Sequence, residues 1–147
     1  MSKYTIYMGT TTVAANQTIG EISAVLIKHG ARQIVTDYAA NGRVEAVRFS
    51  LVIGGFPQPI SFRLPCRTEK LVKMMRNDWA QAERTGWRQV LRWVQAQMAM
   101  IEVGMVRTEE VFLPYALIPG SDNTLFQAWE SQQKLLSAAP SEVSQHD

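Results

Sequence analysis

The sequence predicts an α+β domain in which a four-stranded, mostly antiparallel sheet (β-α-β-β-β) is followed by helices that pack on one face. Three observations predict this class: alternating apolar and polar runs in the first half of the chain, tight-turn signals between those runs, and helical periodicity in the second half. Of the 147 residues, 46% are hydrophobic and 19% are charged, which is enough apolar material for a core. We expect one domain over residues 1–136 and a flexible C-terminal tail over residues 137–147.

The N-terminal region predicts one strand and one helix. The strand is expected at residues 4–8, where aromatic and β-branched side chains (YTIYM) precede a glycine. The helix is expected over Ile19–His29, since Thr18 and Glu21 have the spacing of a capping box at its start. Gly30 follows the last apolar residue and is typical of a helix C-cap.

Three further strands, joined by short turns, are predicted to form an antiparallel meander. They cover Gln33–Tyr38, Val44–Ile53 and Ile60–Leu64. An Asn-Gly turn joins the first two, and the sequence Gly-Gly-Phe-Pro joins the last two. The second turn predicts a register with Ser50 opposite Ser61. In that register Arg48 lies opposite Arg63, on the same face of the sheet.

The rest of the chain is predicted to be helical. The expected elements are a helix over Glu69–Trp79, a polar break over residues 81–85, a long helix over Trp87–Val103 and a last helix starting at Asn123 or Thr124. Between the last two helices, Pro114 limits the segment that begins at Thr108 to a turn or two.

Composition and charge exclude several classes of site. A net charge of +2 favours anionic partners only mildly, and it is far below that of a dedicated duplex-DNA binder. Cys66 is the single cysteine, which excludes an intramolecular disulfide and a cysteine-rich zinc site, and two histidines exclude most histidine-built metal sites. We therefore expect no metal and no cofactor. Neither a signal peptide nor a membrane-spanning apolar run is visible, so we expect a cytoplasmic protein without membrane contact.

The residues offer little for catalysis. Glu109 and Glu110 lie at a predicted helix start, where they complement the helix dipole. Cys66 follows a proline at a strand end and is more simply a buried bystander than a nucleophile. The sequence has no Walker loop and no Ser/His/Asp pattern, so we expect a binding protein and not an enzyme.

The arginines of the meander are the first candidate site. Arg48 opposite Arg63 places like charges across two strands, which is unfavourable, and an anion such as a phosphate would relieve the repulsion. The alternative is that both arginines are solvated, or are paired with Asp37 or Glu45. Phe62 is a further candidate here, as a ring that would stack on a base.

The long helix is the second candidate site. Trp93 lies beside Arg92, with Arg88 one turn earlier, and an aromatic ring next to guanidinium groups can stack a base and hold its phosphate. The alternative is a helix whose apolar stripe around Trp87 is simply core. A second apolar stripe on the same helix favours burial against another helix or a second copy of the chain, so we expect a homo-oligomer.

Several segments together resemble a family of small proteins encoded by phages and prophages, over most of the chain from Thr18 to Trp129. They are TIGEI (18–22), KHGA (28–31), FRLP (62–65), WRQVLRWVQAQ (87–97) and EVFLPY (110–115). Within that family the chain is most similar to the anti-Thoeris sponges. The resemblance implies an oligomeric protein that sequesters a cyclic ADP-ribose signal, made by a host TIR immune enzyme, without cleaving it. It transfers no individual ligand-binding residue to this sequence.

The function expected from the sequence is therefore capture of a cyclic nucleotide signal by an anti-defence protein. Two alternatives stay open. One is a phage accessory protein that binds single-stranded nucleic acid through the same basic and aromatic residues. The other is a protein–protein inhibitor of a host enzyme, which would dock through the two-striped helix and the segment FLPY (112–115). The site residues expected for ligand binding are Arg48, Arg63, Arg88, Arg92, Trp93 and Phe62.

Overall fold

The structure, a computed structural model, describes residues 5–138 and has the predicted α+β class. Its helices are α1 (Ala15–Lys28), α2 (Thr68–Val72), α3 (Trp79–Glu102), α4 (Thr108–Phe112) and α5 (Leu125–Ala138). Its strands are β1 (Ile34–Tyr38), β2 (Val44–Leu51) and β3 (Ile60–Pro65). Short 3₁₀ turns at Lys73–Met75 and Leu113–Tyr115 follow α2 and α4.

The sheet has three antiparallel strands in the order β1-β2-β3, so the predicted fourth strand is wrong. Within residues 5–10 the chain instead forms a turn, in which the Gly9 N–H donates to the Ile6 carbonyl (2.8 Å) and Met8 adopts the left-handed conformation (φ +61°). Gln81 Nε2 donates to the carbonyl oxygens of Gly9 (3.0 Å) and Thr11 (2.9 Å), and Gln89 Nε2 donates to that of Tyr7 (2.8 Å). The first residue of the predicted strand, residue 4, lies outside the described residues.

The predicted meander and its register are confirmed. Ser50 pairs with Ser61, and Arg48 pairs with Arg63. A β-bulge interrupts the pairing of β1 with β2 after Asp37. Beyond β3, the segment that follows α4 lies along the strand's outer edge, where the Leu117 N–H donates to the Ser61 carbonyl (2.8 Å).

One face of the sheet packs against α1 and α3. Phe49 and Phe62 stack with ring centroids 5.5 Å apart, and Phe112 meets Phe49 edge-on at 81°. Trp87 of α3 is fully buried in the same core. This core fixes the face of the sheet that carries Arg48 and Arg63 as the outer one, because neighbouring residues in a strand point to opposite faces.

The start of α1 differs from the prediction. The helix begins at Ala15, and Thr18 is fully buried inside it while Glu21 pairs with Arg88 of α3. These two side chains therefore do not cap the helix. Gly30 does end it as predicted, with φ of +102° and the N–H of the next residue bonded to the Leu26 carbonyl.

The break before the long helix is also displaced. The predicted break over residues 81–85 is wrong, because α3 runs without interruption from Trp79 to Glu102. The chain turns earlier, where Arg76 (φ +56°) and Asn77 (φ +61°) adopt the left-handed conformation. Asp78 then caps α3 by accepting a hydrogen bond from the Gln81 N–H at 3.0 Å.

In the C-terminal part, both residues that were predicted to end or start a helix do so. Pro114 lies in the 3₁₀ turn that ends α4, and Thr124 caps α5. The Thr124 hydroxyl accepts from the Gln127 N–H (3.2 Å), and the Gln127 side chain accepts from the Thr124 N–H (2.8 Å). Of the predicted tail, Ser137 and Ala138 belong to α5, and residues 139–147 lie outside the described residues. Within residues 5–138, no helix combines the length and the apolar character needed to cross a bilayer.

We expect Gly86→Ala to destabilise the fold by about 1–3 kcal/mol, since overpacking a filled core has that cost. A Cβ at Gly86 would lie 2.7 Å from Cys66 Sγ and 3.2 Å from Leu71 Cδ1. The measurement is the free energy of unfolding in urea. Gly20→Ala is the matched control, because a Cβ at this helical position meets nothing within 4 Å. It should stabilise by about 0.5–1 kcal/mol, and equal stability of the two variants would contradict the predicted clash.

Candidate functional site

Arg48 and Arg63 share one carboxylate, that of Asp37 on β1. Arg48 Nε donates to Asp37 Oδ1 at 3.0 Å, and Arg63 Nε donates to Asp37 Oδ2 at 3.1 Å. Arg63 Nη2 also lies 3.5 Å from a carboxylate oxygen of Glu45. The alternative of arginines paired with Asp37 or Glu45 is thus confirmed, and the carboxylate already relieves the repulsion for which an external anion was expected.

A groove runs between this outer face of the sheet and α5, and we call it the sheet–α5 groove. Its wider part has a volume of about 480 Å³ and includes Asp37, Tyr38, Arg48 and Asp122 in its lining. Its narrower part has a volume of about 230 Å³. Glu45, Arg63 and Gln127 line both parts and so make them continuous. The wider part alone falls within the usual size of small-molecule sites, roughly 300–1,000 Å³.

The sheet–α5 groove carries charges of both signs. Three guanidiniums line it, those of Arg48, Arg63 and Arg67. Four carboxylates line it as well, those of Asp37, Glu45, Glu69 and Asp122. A ligand that fits this lining must offer both hydrogen-bond donors and anionic acceptors, because a bare polyanion would face the carboxylates.

Arg67 differs from the other two arginines of the groove. It is exposed, and within residues 5–138 it forms no ion pair. Arg67 was not among the residues predicted from the sequence, because no local signal shows which arginine will lack a carboxylate after folding. Among residues 5–138, its guanidinium is the one in the groove that no carboxylate engages, so all of its donors face an anionic ligand without competition.

Aromatic rings border the sheet–α5 groove. Tyr38 is exposed at its wider part, and Tyr115 and Phe126 line its narrower part. Phe126 contacts the Trp129 ring, with centroids 5.8 Å apart. The sequence analysis did not place these rings beside the arginines, because α5 brings them there from a distant part of the chain.

Phe62 does not serve as a stacking residue, which corrects the expectation from the sequence. Its side chain is 1% exposed and packs against Phe49 and Phe112. The alternation of side chains along a β-strand already excluded this role. Phe62 and Arg63 are neighbours in β3, so they point to opposite faces of the sheet.

None of the three α3 candidates lines the sheet–α5 groove. Arg88 pairs with Glu21, with its side chain 12% exposed, and so ties α3 to α1. Arg92 is exposed and donates to Gln95 at 3.0 Å. Neither arginine lines the groove.

Trp93 is half-buried beside the core. Its ring meets Phe112 edge-on (5.6 Å, 89°) and also lies against Tyr115 (5.8 Å, 69°). It lines another cavity with Gln89 and Val90, which shares Pro65 and Tyr115 with the narrower part of the sheet–α5 groove. The sequence-predicted set is therefore divided, and only Arg48 and Arg63 meet in one place.

Cys66 lines the narrower part of the sheet–α5 groove but is buried. Burial raises the pKa of its thiol to about 11, and the Thr68 hydroxyl contact (3.7 Å) offsets only part of that rise. The thiol is therefore protonated at neutral pH and supplies no thiolate nucleophile. Among residues 5–138 no group of three or more His, Cys, Asp or Glu side chains is placed to hold a metal ion.

Comparison with known proteins gives no match. No protein-family model, no curated protein sequence and no solved structure is significantly similar to this chain.

We expect Asp37→Asn to destabilise the fold by about 1–2 kcal/mol, because two partly buried guanidiniums lose the carboxylate between them. The loss should shrink at high salt, which screens the remaining repulsion between Arg48 and Arg63. Urea unfolding at low and high salt measures it. Asp122→Asn is the control, since Asp122 is exposed and forms no ion pair in the described part of the chain. A loss of equal size in the control would contradict the proposed role of Asp37.

We expect Cys66 to resist alkylation in the folded protein at pH 8 and to react once urea unfolds the chain. Stability should also fall as pH rises from about 9 to about 11. The unfolded thiol ionises near 9.0 and the folded one near 11, so in this window unfolding releases a proton. Thermal melts across this range measure the effect, with Cys66→Ala as control. A wild-type slope no steeper than that of the variant would contradict the raised pKa.

Proposed function

We propose that the sheet–α5 groove binds a small ligand of the nucleotide class and holds it without chemical change. The observation that carries this proposal is the meeting of Arg48, Arg63 and Arg67 in one groove of ligand size that is also bordered by aromatic rings. Fixed donors together with stacking surfaces are sufficient for capture, because preorganised groups lose little freedom when a ligand binds.

A phosphate is assigned to the narrower part of the groove, at Arg67. Its guanidinium has no carboxylate partner among residues 5–138, so all five of its N–H donors remain free for a ligand. Arg63 lines both parts of the groove and uses only its Nε and Nη2 for Asp37 and Glu45. Its remaining donors support a second contact to the phosphate.

The carboxylates of the groove are assigned to the sugar. Asp37 and Glu45 are held by Arg63, and a fixed carboxylate oxygen is a strong acceptor for a ribose hydroxyl or a base amino group. Tyr115 and Phe126 offer ring faces to a base, where stacking contributes about 1–3 kcal/mol. A nucleotide therefore matches both signs of charge in the groove better than an inorganic polyanion does.

The resemblance to phage and prophage proteins narrows the ligand class further. It supports a cyclic ADP-ribose-type immune signal as the ligand and anti-defence sequestration in the host cytoplasm as the biological role. A homo-oligomer belongs to the same proposal. Release of the intact ligand distinguishes capture from turnover.

The test is a binding screen with cyclic ADP-ribose isomers, linear ADP-ribose and cyclic oligonucleotides. We expect at least one to raise the Tm, since saturation at a hundred times Kd adds about 2.7 kcal/mol. Heating the complex should release that compound intact, as judged by mass spectrometry. Recovery of a cleaved product, or no Tm shift with any compound, would overturn the proposal.

Arg67→Ala should weaken binding of the compound found in that screen about tenfold or more, since a charge-assisted hydrogen bond contributes about 1.5–3 kcal/mol. Titration calorimetry measures the change. Arg92→Ala is the matched control, because Arg92 is exposed and does not line the groove, and within residues 5–138 its side chain bonds only to Gln95. Equal losses in the two variants would place the ligand elsewhere.

A further inference from the structure

A row of exposed cations follows β3, and we call it the basic strip. It consists of Arg67, Lys70, Lys73 and Arg76, at intervals of three residues. Within residues 5–138 none of the four forms an ion pair. The segment 67–76 contains a single carboxylate, Glu69, and so has a net charge of +3 from four cations and one anion.

Ion pairs distinguish the basic strip from most other arginines of the protein. Arg43 pairs with Glu83, Arg88 with Glu21, and Arg107 with Glu109. Arg48 and Arg63 share Asp37. The strip thus places four cations that a polyanion can engage without breaking an internal pair within one short segment, whereas the other cations unpaired within residues 5–138, such as Arg32, Arg92 and Lys134, are far apart in the sequence.

All four cations lie in one short helical segment or at its ends. Arg67 is the N-cap residue of α2, Lys70 lies within α2, and Lys73 opens the 3₁₀ turn that follows it. Arg76 comes three residues after Lys73, at the left-handed residue that ends the turn.

An apolar groove lies beside the basic strip, between α2 and α3, and we call it the α2–α3 groove. Its first part, of about 350 Å³, is lined by Leu71, Met74 and Val90, with Arg67 and Lys70 also in its lining. Met74 is 53% exposed there.

The α2–α3 groove continues along α3. Its second part has a volume of about 320 Å³ and shares Pro65, Gln89 and Val90 with the first. The rings of Trp93 and Tyr115 line it. The α2–α3 groove thus has two cations of the strip, Arg67 and Lys70, at its first part and aromatic rings at its second part.

We propose that the basic strip and the α2–α3 groove bind single-stranded nucleic acid. Phosphates contact the four cations, and unpaired bases lie against Met74, Val90 and the Trp93 and Tyr115 rings. A duplex fits less well, because its bases are stacked inside and do not reach an apolar groove. An acidic protein fits less well, because lysine is depleted at protein–protein interfaces yet serves as a common phosphate ligand.

Salt dependence gives the first test, with a fluorescein-labelled oligothymidylate or oligouridylate as the probe in an anisotropy titration. Each neutralised phosphate contributes about −0.7 to the slope of log affinity against log salt, so four contacts give about −2.8. Affinity should therefore fall about 50-fold between 50 and 200 mM salt. No binding, a slope near zero, or equal affinity for duplex DNA would overturn the proposal, as would equally tight binding of polyglutamate.

Charge reversal locates the site. The triple variant Lys70→Glu, Lys73→Glu, Arg76→Glu should lose at least tenfold in affinity for the same probe. The matched control is Arg32→Glu, Arg92→Glu, Lys134→Glu, which changes the net charge equally at exposed positions outside the strip. Circular dichroism checks that both variants are folded. An equal loss in the control would mean that net charge alone drives binding.

The apolar floor is tested separately. Met74→Ala should weaken binding several-fold and leave the salt slope unchanged, because it removes a base contact and no phosphate contact. An unchanged affinity would exclude the α2–α3 groove. The triple charge variant should retain the nucleotide-dependent rise in Tm, since none of its three positions lines the sheet–α5 groove. The two sites share Arg67 and Tyr115, and the triple charge variant separates the two proposals because it leaves both residues unchanged.

Discussion

The carboxylate of Asp37 is the interaction on which the outer face of the sheet depends. The register of β2 and β3 places Arg48 directly opposite Arg63, and alone these guanidiniums would repel each other. Asp37 accepts a hydrogen bond from each, so the register that buries Phe49 and Phe62 on the other face carries no penalty from charge on this one. The same carboxylate makes the sheet–α5 groove mixed in charge, which favours ligands that offer donors as well as phosphates.

Local signals in the sequence predicted much of the fold. The turn sequences predicted the β2–β3 register, Gly30 and Thr124 predicted two helix boundaries, and Pro114 predicted the end of α4, because each acts through its own backbone or the next turn. The prediction of an N-terminal strand was wrong for a non-local reason. A strand forms only where a partner strand binds its backbone. Here Gln89 of α3 binds the Tyr7 carbonyl instead, and Gln81 binds the carbonyls of Gly9 and Thr11 just after the predicted strand.

Of the candidate site, only the residues that the sheet contributes were predictable from the sequence. Arg48 and Arg63 follow from the register, and Asp37 was one of two carboxylates near enough in sequence to pair with them. The other half depends on α5 returning to the sheet, which no short-range pattern encodes. The distribution of unpaired charge was harder still to predict. A net charge of +2 does not show that the arginines of the sheet are neutralised while the basic strip beside them is not.

The shortness of β1 affects how the protein behaves at high concentration. β3 is flanked on its outer side by the segment around Ala116, whereas within residues 5–138 β1 pairs with a strand on one side only. An unpaired strand edge is a template for aggregation. Here that edge is only five residues long, so an incoming chain would find too short a ladder to extend the sheet into a fibre.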